Sequence, residues 1–255
     1  MTEKVLADIT SSLYLKDDVV LKAKLPDRPN IYLDVRRRRK YDIATELEWL
    51  AASVDRDQEL CAKTLVFTHS INNASEIYCW LMSRLHDKAF RDGRNDDPKS
   101  RFVSMFHGHI ADPLQQYTLS EFAKPDSTIR VLVCTVAFGM GVAIGDVRQI
   151  IHWGKVPSLM TYWQEVGRCG RDGKPSRAIW YPKSVVGDDK TLLEKIKSDE
   201  DCVRRLVLQG FKLSQMSTDE FDAQLAKRDC SSSVKCLQCA CELCVCCSHC
   251  RAKCT

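Results

Sequence analysis

The string with the clearest capacity for chemistry is Gln164-Glu165-Val166-Gly167-Arg168-Cys169-Gly170-Arg171-Asp172-Gly173. Arg168 and Arg171 stand three residues apart, and each follows a glycine. On a helical turn, residues at that spacing face the same way. Two guanidiniums on one face form a fork that suits phosphate oxygens, and the glycines let backbone approach a ligand closely. Solvated surface arginines would satisfy the same pattern, so the string alone marks a candidate phosphate site.

The second concentration of chemistry is thiol. Nine of the 14 cysteines fall between Cys230 and Cys254. Cys236/Cys239, Cys241/Cys244 and Cys247/Cys250 are Cys-x2-Cys pairs, and Cys246, Cys254 and His249 add further donors. A dense terminal cluster of this kind reads as metal ligation rather than as a distributed disulfide scaffold. Spacing does not decide which four residues bind, and a degenerate cysteine-rich tail is the alternative. Cys61, Cys79, Cys134 and Cys169 are isolated and are expected to be small buried hydrophobes.

The elements that must carry these groups follow from pattern. The chain has 255 residues, 44% hydrophobic and 28% charged, with a net charge of +4. That composition excludes wholesale disorder and fits one large domain, or one domain and an appendage. The mild positive charge permits an acidic polymer as partner without requiring one. The longest uncharged run, residues 131–145, is too short for a bilayer-spanning helix of about 20 residues and holds three glycines. Glu3, Lys4, Asp8, Lys16, Asp17 and Asp18 exclude a visible signal peptide, so an intracellular location and no membrane partner are expected.

Helical spacing of Val5, Leu6, Ile9 and Leu13 opens the chain, and Ile31–Val35 reads as a short strand before the basic run Arg36–Lys40. That run is read as a solvated loop or edge, with a nuclear localisation signal or DNA-phosphate patch as the alternative. From residue 41, strands and helices alternate. Apolar runs predict strands at Thr64–Thr68, Phe102–Phe106, Arg130–Thr135, Val147–Trp153 and Arg177–Tyr181. Helices are predicted over Tyr41–Val54, Asn72–Leu85, Asp112–Phe122 (capped by Asp112) and Ser158–Arg168, with a polar surface loop over Lys88–Arg101. Trp163 is expected in the core, and His107 and His152 as hydrogen-bonded histidines. The alternation predicts an α/β fold with a mostly parallel sheet and ligands at the carboxyl ends of its strands. Residues 184–255 lose the strand pattern and are predicted to be helical and cysteine-rich.

These strings resemble the second RecA-like lobe of the RecQ-family DNA helicases of superfamily 2. Gln164 to Gly173 is similar to motif VI, Thr135-Val136-Ala137-Phe138-Gly139-Met140-Gly141 to motif V, and Thr64 to Ser70 to motif IV. Phe106-His107-Gly108 stands at that family's aromatic-His-small turn, and Arg28-Pro29-Asn30 matches the segment leading into the lobe. The resemblance implies residues 1–27 as the end of a first lobe or linker, 28–183 as the RecA-like lobe, and 184–255 as a helical zinc-binding region.

It also implies a function: part of an ATP-dependent 3′–5′ DNA helicase in the nucleus, serving DNA repair and recombination and acting on single-stranded or forked DNA. Arg171 and Arg168 would be arginine fingers, with Gln164 coupling the site to the lobe interface. Thr68, His69, Ser70 and Thr135 would grip the DNA backbone, and Gly139 and Gly141 would shape the motif V loop. Cys202-Val203-Arg204 resembles the Cys-x-Arg string that opens the family's zinc region, which implies zinc on Cys202, Cys239, Cys247 and Cys250. No Gly-x4-Gly-Lys-Ser/Thr or Asp-Glu-x-His string occurs, and both belong to the family's first lobe. ATP and Mg²⁺ would therefore be held with a first lobe that this sequence does not contain, and this chain alone is expected to be inactive. In motif V, Ala143 replaces the usual Asp or Asn and Gly145 the usual Pro. A non-catalytic nucleic-acid-binding zinc module is the alternative reading.

Overall fold

A computed structural model describes residues 3–16, 24–37, 42–93, 97–135, 144–183, 189–198, 200–225 and 246–254. Six parallel strands form one sheet: β1 (Ile31–Val35), β2 (Thr64–Thr68), β3 (Val103–Phe106), β4 (Val131–Thr135), β5 (Gln149–Trp153) and β6 (Ser176–Tyr181). Their spatial order is β1-β6-β5-β2-β4-β3.

Helices cover both faces, which is why the strands read as unbroken apolar runs. On one face, Val66, Val133, Ile151 and Ile179 pack against α2 (Ile43–Asp57) and α3 (Ile71–Leu85). On the other, Leu65, Leu132, Ile150 and Ala178 pack beneath α4 (Asp112–Ala123) and α5 (Leu159–Val166). A strand alternates sides at every residue, so neighbours in one run serve different cores. The second core also takes in α6 (Lys190–Ser198), α7 (Val203–Gln209), Phe221 of α8 (Thr218–Leu225), and Cys246, Cys247 and Cys250 around α9 (Ser248–Cys254). The segment after β6 thus buries its apolar side chains in the same core as the sheet. An N-terminal helix, α1 (Glu3–Ser12), precedes the sheet.

Several local expectations are corrected. Asp112 does not cap α4: Ala111 is the N-cap without a side-chain bond, and Asp112 is the first helical residue. Helix α5 stops at Val166, because Gly167 takes the C-cap. The loop at 88–101 contains single 3-10 turns, including Arg91–Gly93 and Pro98–Ser100. Cys79 is exposed, whereas Cys61, Cys134 and Cys169 are buried as expected. Trp163 is buried, and its indole N–H donates to the Pro26 carbonyl at 2.7 Å. No helix among the described residues is long and apolar enough to cross a membrane.

Candidate functional site

The arginine loop joins α5 to the start of β6. It lies at the amino ends of β5 and β6, not at the carboxyl ends where α/β ligand sites are expected: the Gly170 amide donates to the Val147 carbonyl at 2.9 Å, and the Ser176 amide to the Asn30 carbonyl at 2.9 Å.

The loop is held by two side chains from about 140 residues away in sequence. The Arg28 guanidinium donates to the carbonyls of Gly167 (3.1 Å), Cys169 (3.1 Å) and Gly170 (2.7 Å). The Asn30 amide donates to the carbonyls of Gly170 (2.8 Å) and Lys174 (3.0 Å). Arg148 clamps Asp172 from outside with a forked ion pair, one arm at 2.9 Å. That guanidinium holds the Asp172 carboxyl at a pKa of about 2. Gly170 has φ +58, and a Cβ there would sit 2.4 Å from the Asn30 amide nitrogen and 2.7 Å from Ser176 Oγ. Only glycine fits that left-handed position at such an approach.

In this frame Arg171 is exposed and Arg168 is half-buried. Burial, and then the positive charge of Arg171, push the Arg168 guanidinium below its ordinary value. The two cations therefore repel one another, and an anion between them would relieve that repulsion. Gln164 faces solvent on the last turn of α5. Beneath it, buried Glu165 accepts a 2.9 Å bond from buried His152 of β5, and the rings of Phe67 and Tyr162 flank that histidine. This pair ties α5 to the sheet.

Thr68, His69, Ser70 and Thr135 meet at the carboxyl ends of β2 and β4, where Thr68 pairs in register with Thr135. Ser70 caps α3 by accepting from the Asn73 amide at 3.2 Å, and His69 is exposed. Thr68 is buried, and its hydroxyl donates to the Ser70 carbonyl at 3.0 Å, so it shapes the turn instead of facing outward. Gly139, Gly141 and Ala143 lie outside the described residues.

Cys202, Cys246, Cys247 and Cys250 converge, with all four sulfurs within 4.8 Å of one another. Cys202 Sγ lies 3.7 Å from Cys246 Sγ and 3.8 Å from Cys247 Sγ. A tetrahedron of thiolates at Zn–S of about 2.3 Å has edges of roughly 3.8 Å, so this donor set fits a closed structural zinc site. Hydrogen bonding within the cluster draws the Cys246 and Cys247 thiols down and pushes those of Cys202 and Cys250 up, so the four thiols hold their protons jointly, and a metal that binds them must displace those protons. The fourth thiol here is Cys246; Cys239 lies outside the described residues. Cys202 sits at the N-cap of α7 rather than within a helix.

Arg204, two residues further on, is fully buried and joins the two sites. It donates to Asp27 Oδ1 (2.8 Å), to the carbonyls of Arg28 (2.9 Å) and Cys246 (3.3 Å), and to that of Ile31. Cys246 is thus linked through Arg204 to the backbone of Arg28, whose side chain holds the arginine loop. Sequence reading singled out the Cys-x-Arg and Arg-Pro-Asn strings, but not that Arg204, Arg28 and Asn30 work as one network. It expected His152 to be hydrogen-bonded, as it is, but did not name Glu165 as the partner, because nothing in the spacing pairs the two.

Comparison with known proteins bears on the family and the fold. The helicase conserved C-terminal domain matches residues 45–173. The ATP-dependent helicase wrn-1 of Caenorhabditis elegans is 25% identical over 85% of this chain and 19% of its own length. SGS1 of Saccharomyces cerevisiae is 27% identical over 91% and 16%, and the human ATP-dependent DNA helicase Q4 is 28% identical over 82% and 17%. The chain therefore spans less than a fifth of the length of these relatives. In fold, the S. cerevisiae Dbp5 structure bound to RNA and ADP BeF3 superposes with a TM-score of 0.56 at 16% identity, covering 89% of this chain and 52% of that one. A parallel RecA-like sheet, an arginine loop set on it and relatives of this kind place the chain in the helicase conserved C-terminal domain family, as a RecQ-like lobe of superfamily 2.

Proposed function

We propose that this chain is the second motor lobe of a nuclear ATP-dependent 3′–5′ DNA helicase acting in DNA repair and recombination. The observation that carries the reading is the arginine loop. Three carbonyls of the loop are bound by Arg28, while the exposed Arg171, whose Nε donates to the Gly167 carbonyl at 3.4 Å, lies beside the charge-crowded Arg168. Fixing the loop in advance spares the site reorganisation when charge develops on a transferring phosphoryl group. In such a site an arginine finger is typically worth ~10³–10⁵ in rate. ATP and Mg²⁺ would be held across a cleft with a first lobe, and Gln164, solvent-facing on α5, suits a position at that cleft.

Single-stranded or forked DNA would cross the carboxyl ends of β2 and β4. There the exposed His69, the Ser70 turn and Thr135 offer backbone and side-chain groups to phosphates. Such contacts position a strand without reading its sequence. Cys202, Cys246, Cys247 and Cys250 would hold zinc, which supplies a rigid cross-link between α7, α9 and the edge of the sheet.

The test uses this 255-residue chain with fluorescent single-stranded DNA and with Mg-ATP. Binding should be sequence-tolerant and fall steeply with salt as counterions are released. Ser70→Ala combined with Thr135→Ala should weaken it. No ATP hydrolysis should accompany it, since the sequence holds no P-loop lysine. DNA-stimulated hydrolysis that disappears in Arg171→Ala would overturn the division of labour between lobes. Salt-independent or sequence-selective binding would overturn the DNA reading.

A further inference from the structure

Positive charge at the carboxyl ends of the strands extends beyond the residues assigned above. Thr135, Thr68, Trp153 and Tyr181 stand side by side across β4, β2, β5 and β6. Two residues beyond this row come Ser70 after β2, Lys155 after β5 and Lys183 after β6. Lys183 is exposed and Lys155 half-buried. The Lys183 ammonium lies 5.8 Å from the centre of the Trp153 ring, so this side chain reaches back from β6 over the end of β5, toward β2. Its stem runs beside Gly154, where a Cβ would stand 3.7 Å from Lys183 Cδ. Trp153 is 2% exposed, so its ring carries a cation and offers no face to a base.

The same end of the sheet holds the N-terminus of α3, whose cap is Ser70 and whose dipole adds partial positive charge there. The basic run after β1 has another role at its described members. Arg36 lies against the rings of Trp49 (5.3 Å) and Tyr181 (5.6 Å), and it donates to Asp34 (3.0 Å) and to the Tyr181 hydroxyl (2.7 Å). Arg37 donates to the Ile196 carbonyl at 3.0 Å. Residues 38–40 lie outside the described residues. These two arginines fasten the fold, whereas Lys155 and Lys183 stand on the strand ends that follow Ser70 across the sheet.

We propose that a single strand of DNA held at β2 and β4 continues over the end of β5 toward β6, with its phosphates on Lys155 and Lys183. This rests on the DNA reading above and names the next part of the path. Lysine meets a phosphate as a point charge, so the extension adds affinity without reading sequence. Lys183 is placed in advance: its stem lies along Gly154 and its ammonium over Trp153, so it loses less side-chain freedom on binding than a solvated lysine does. Continuity favours a nucleic acid over an acidic protein segment. The two lysines occupy successive strand ends beyond Thr135 and Ser70, and the row between them offers hydroxyls and a turn rather than an apolar groove.

The experiment is fluorescence anisotropy of this chain with a labelled ten-nucleotide thymidine strand, over a series of salt concentrations. Each phosphate contact on a single strand contributes about 0.7 to the slope of log affinity against log salt. Lys183→Gln and Lys155→Gln should each lower that slope by about 0.7, and together weaken binding at least roughly tenfold at low salt. Lys183→Arg should keep the slope, because it keeps the charge. Lys124→Gln, the same loss of charge before the amino end of β4, should leave the slope unchanged. Thermal melts check that the variants fold, and Lys155→Gln tests the path independently of the Lys183 contact with Trp153. The extension is overturned if the Lys155 and Lys183 variants match Lys124→Gln while Ser70→Ala with Thr135→Ala still weakens binding; the DNA reading then stands. Absence of any saturable binding of the thymidine strand overturns both. A ten-residue glutamate peptide that binds as tightly and loses affinity in the same variants would assign the lysines to an acidic protein instead.

Discussion

The two edges of this sheet are bounded by different means, one by the distant tail and one by a neighbouring loop. At β1, the amides of Leu33 and Val35 are taken by Cys246 and Ser248, and Arg204 binds carbonyls on both sides of the seam. At β3, the preceding loop of the same domain covers the strand's entry: the Phe102 amide donates to the Ala89 carbonyl at 2.8 Å, Phe90 bridges Arg101, and Val103 is fully buried. An unpaired strand edge is a template for association unless it is covered or blunted. The difference shows that the thiol cluster has a second consequence besides holding its own segment: it seals one edge and, through Arg204 and Arg28, braces the arginine loop. The β3 edge belongs to no such network, so damage at one edge should leave the other intact.

Metal removal should produce the largest effect. Residues 246–254 carry little apolar surface of their own, and structural zinc contributes ~10–16 kcal/mol of apparent binding free energy in small sites. Chelation should raise hydrogen exchange at Leu33 and Val35 while leaving the amides of β3 unchanged. Cys246→Ser should lower bound zinc, read by native mass spectrometry. Unchanged protection at Leu33 after chelation would sever the proposed link between metal and edge.

Next in size is Arg204→Met. It leaves Asp27 and three carbonyls without their buried partner, a loss of about 3–5 kcal/mol in urea denaturation. Faster exchange should reach the 167–171 loop, because Arg28 shares the network. A purely local change near α7 would break the coupling.

Gly170→Ala comes third. Left-handed backbone alone costs roughly 1–2 kcal/mol, and the contact with Asn30 adds to it. Gly173 also has positive φ, but a Cβ there meets nothing within 4 Å. Gly173→Ala should therefore show only the backbone part, and equal denaturation midpoints for the two variants would show that the Asn30 contact is immaterial.

The smallest effect is electrostatic. Asp172, with its pKa lowered to about 2 by Arg148, has an unfolded value near 3.9. Its contribution to stability is complete above about pH 4 and is lost as pH falls through 2. Asp172→Asn should flatten stability across that window. An Asp172 carboxyl titrating near 4 by NMR would show the clamp to be open in solution.

The residue pattern alone carried a good part of this. Strands β1 and β2 are found at their predicted bounds and the other four within two residues, because a strand buried on both faces needs an unbroken apolar run. The arginine string and the thiol pairs were equally visible, since both are local and unusual in composition. Helix ends were less so: Asp112 before Pro113 looks like a cap, but the chain enters α4 one residue earlier.

What only the tertiary structure decided lies in contacts between distant residues. Pattern dictates which side chains share a face, but not which strands become neighbours, so the order β1-β6-β5-β2-β4-β3 has no local signature. The hold of Arg28 and Asn30 on the loop spans about 140 residues, and that of Arg204 on Asp27 spans 177. Arginines buried in this way look in sequence like any surface cation; only packing shows that carbonyls and a carboxylate surround them. The same reason governs the fourth thiol. Spacing within the tail offers several equivalent pairs, whereas the seam with β1 brings Cys246, beside Cys247, within reach of Cys202. Thr68 completes the contrast, for a hydroxyl at a strand end is available to a ligand only if the following turn leaves it free, and here the Ser70 carbonyl has taken it.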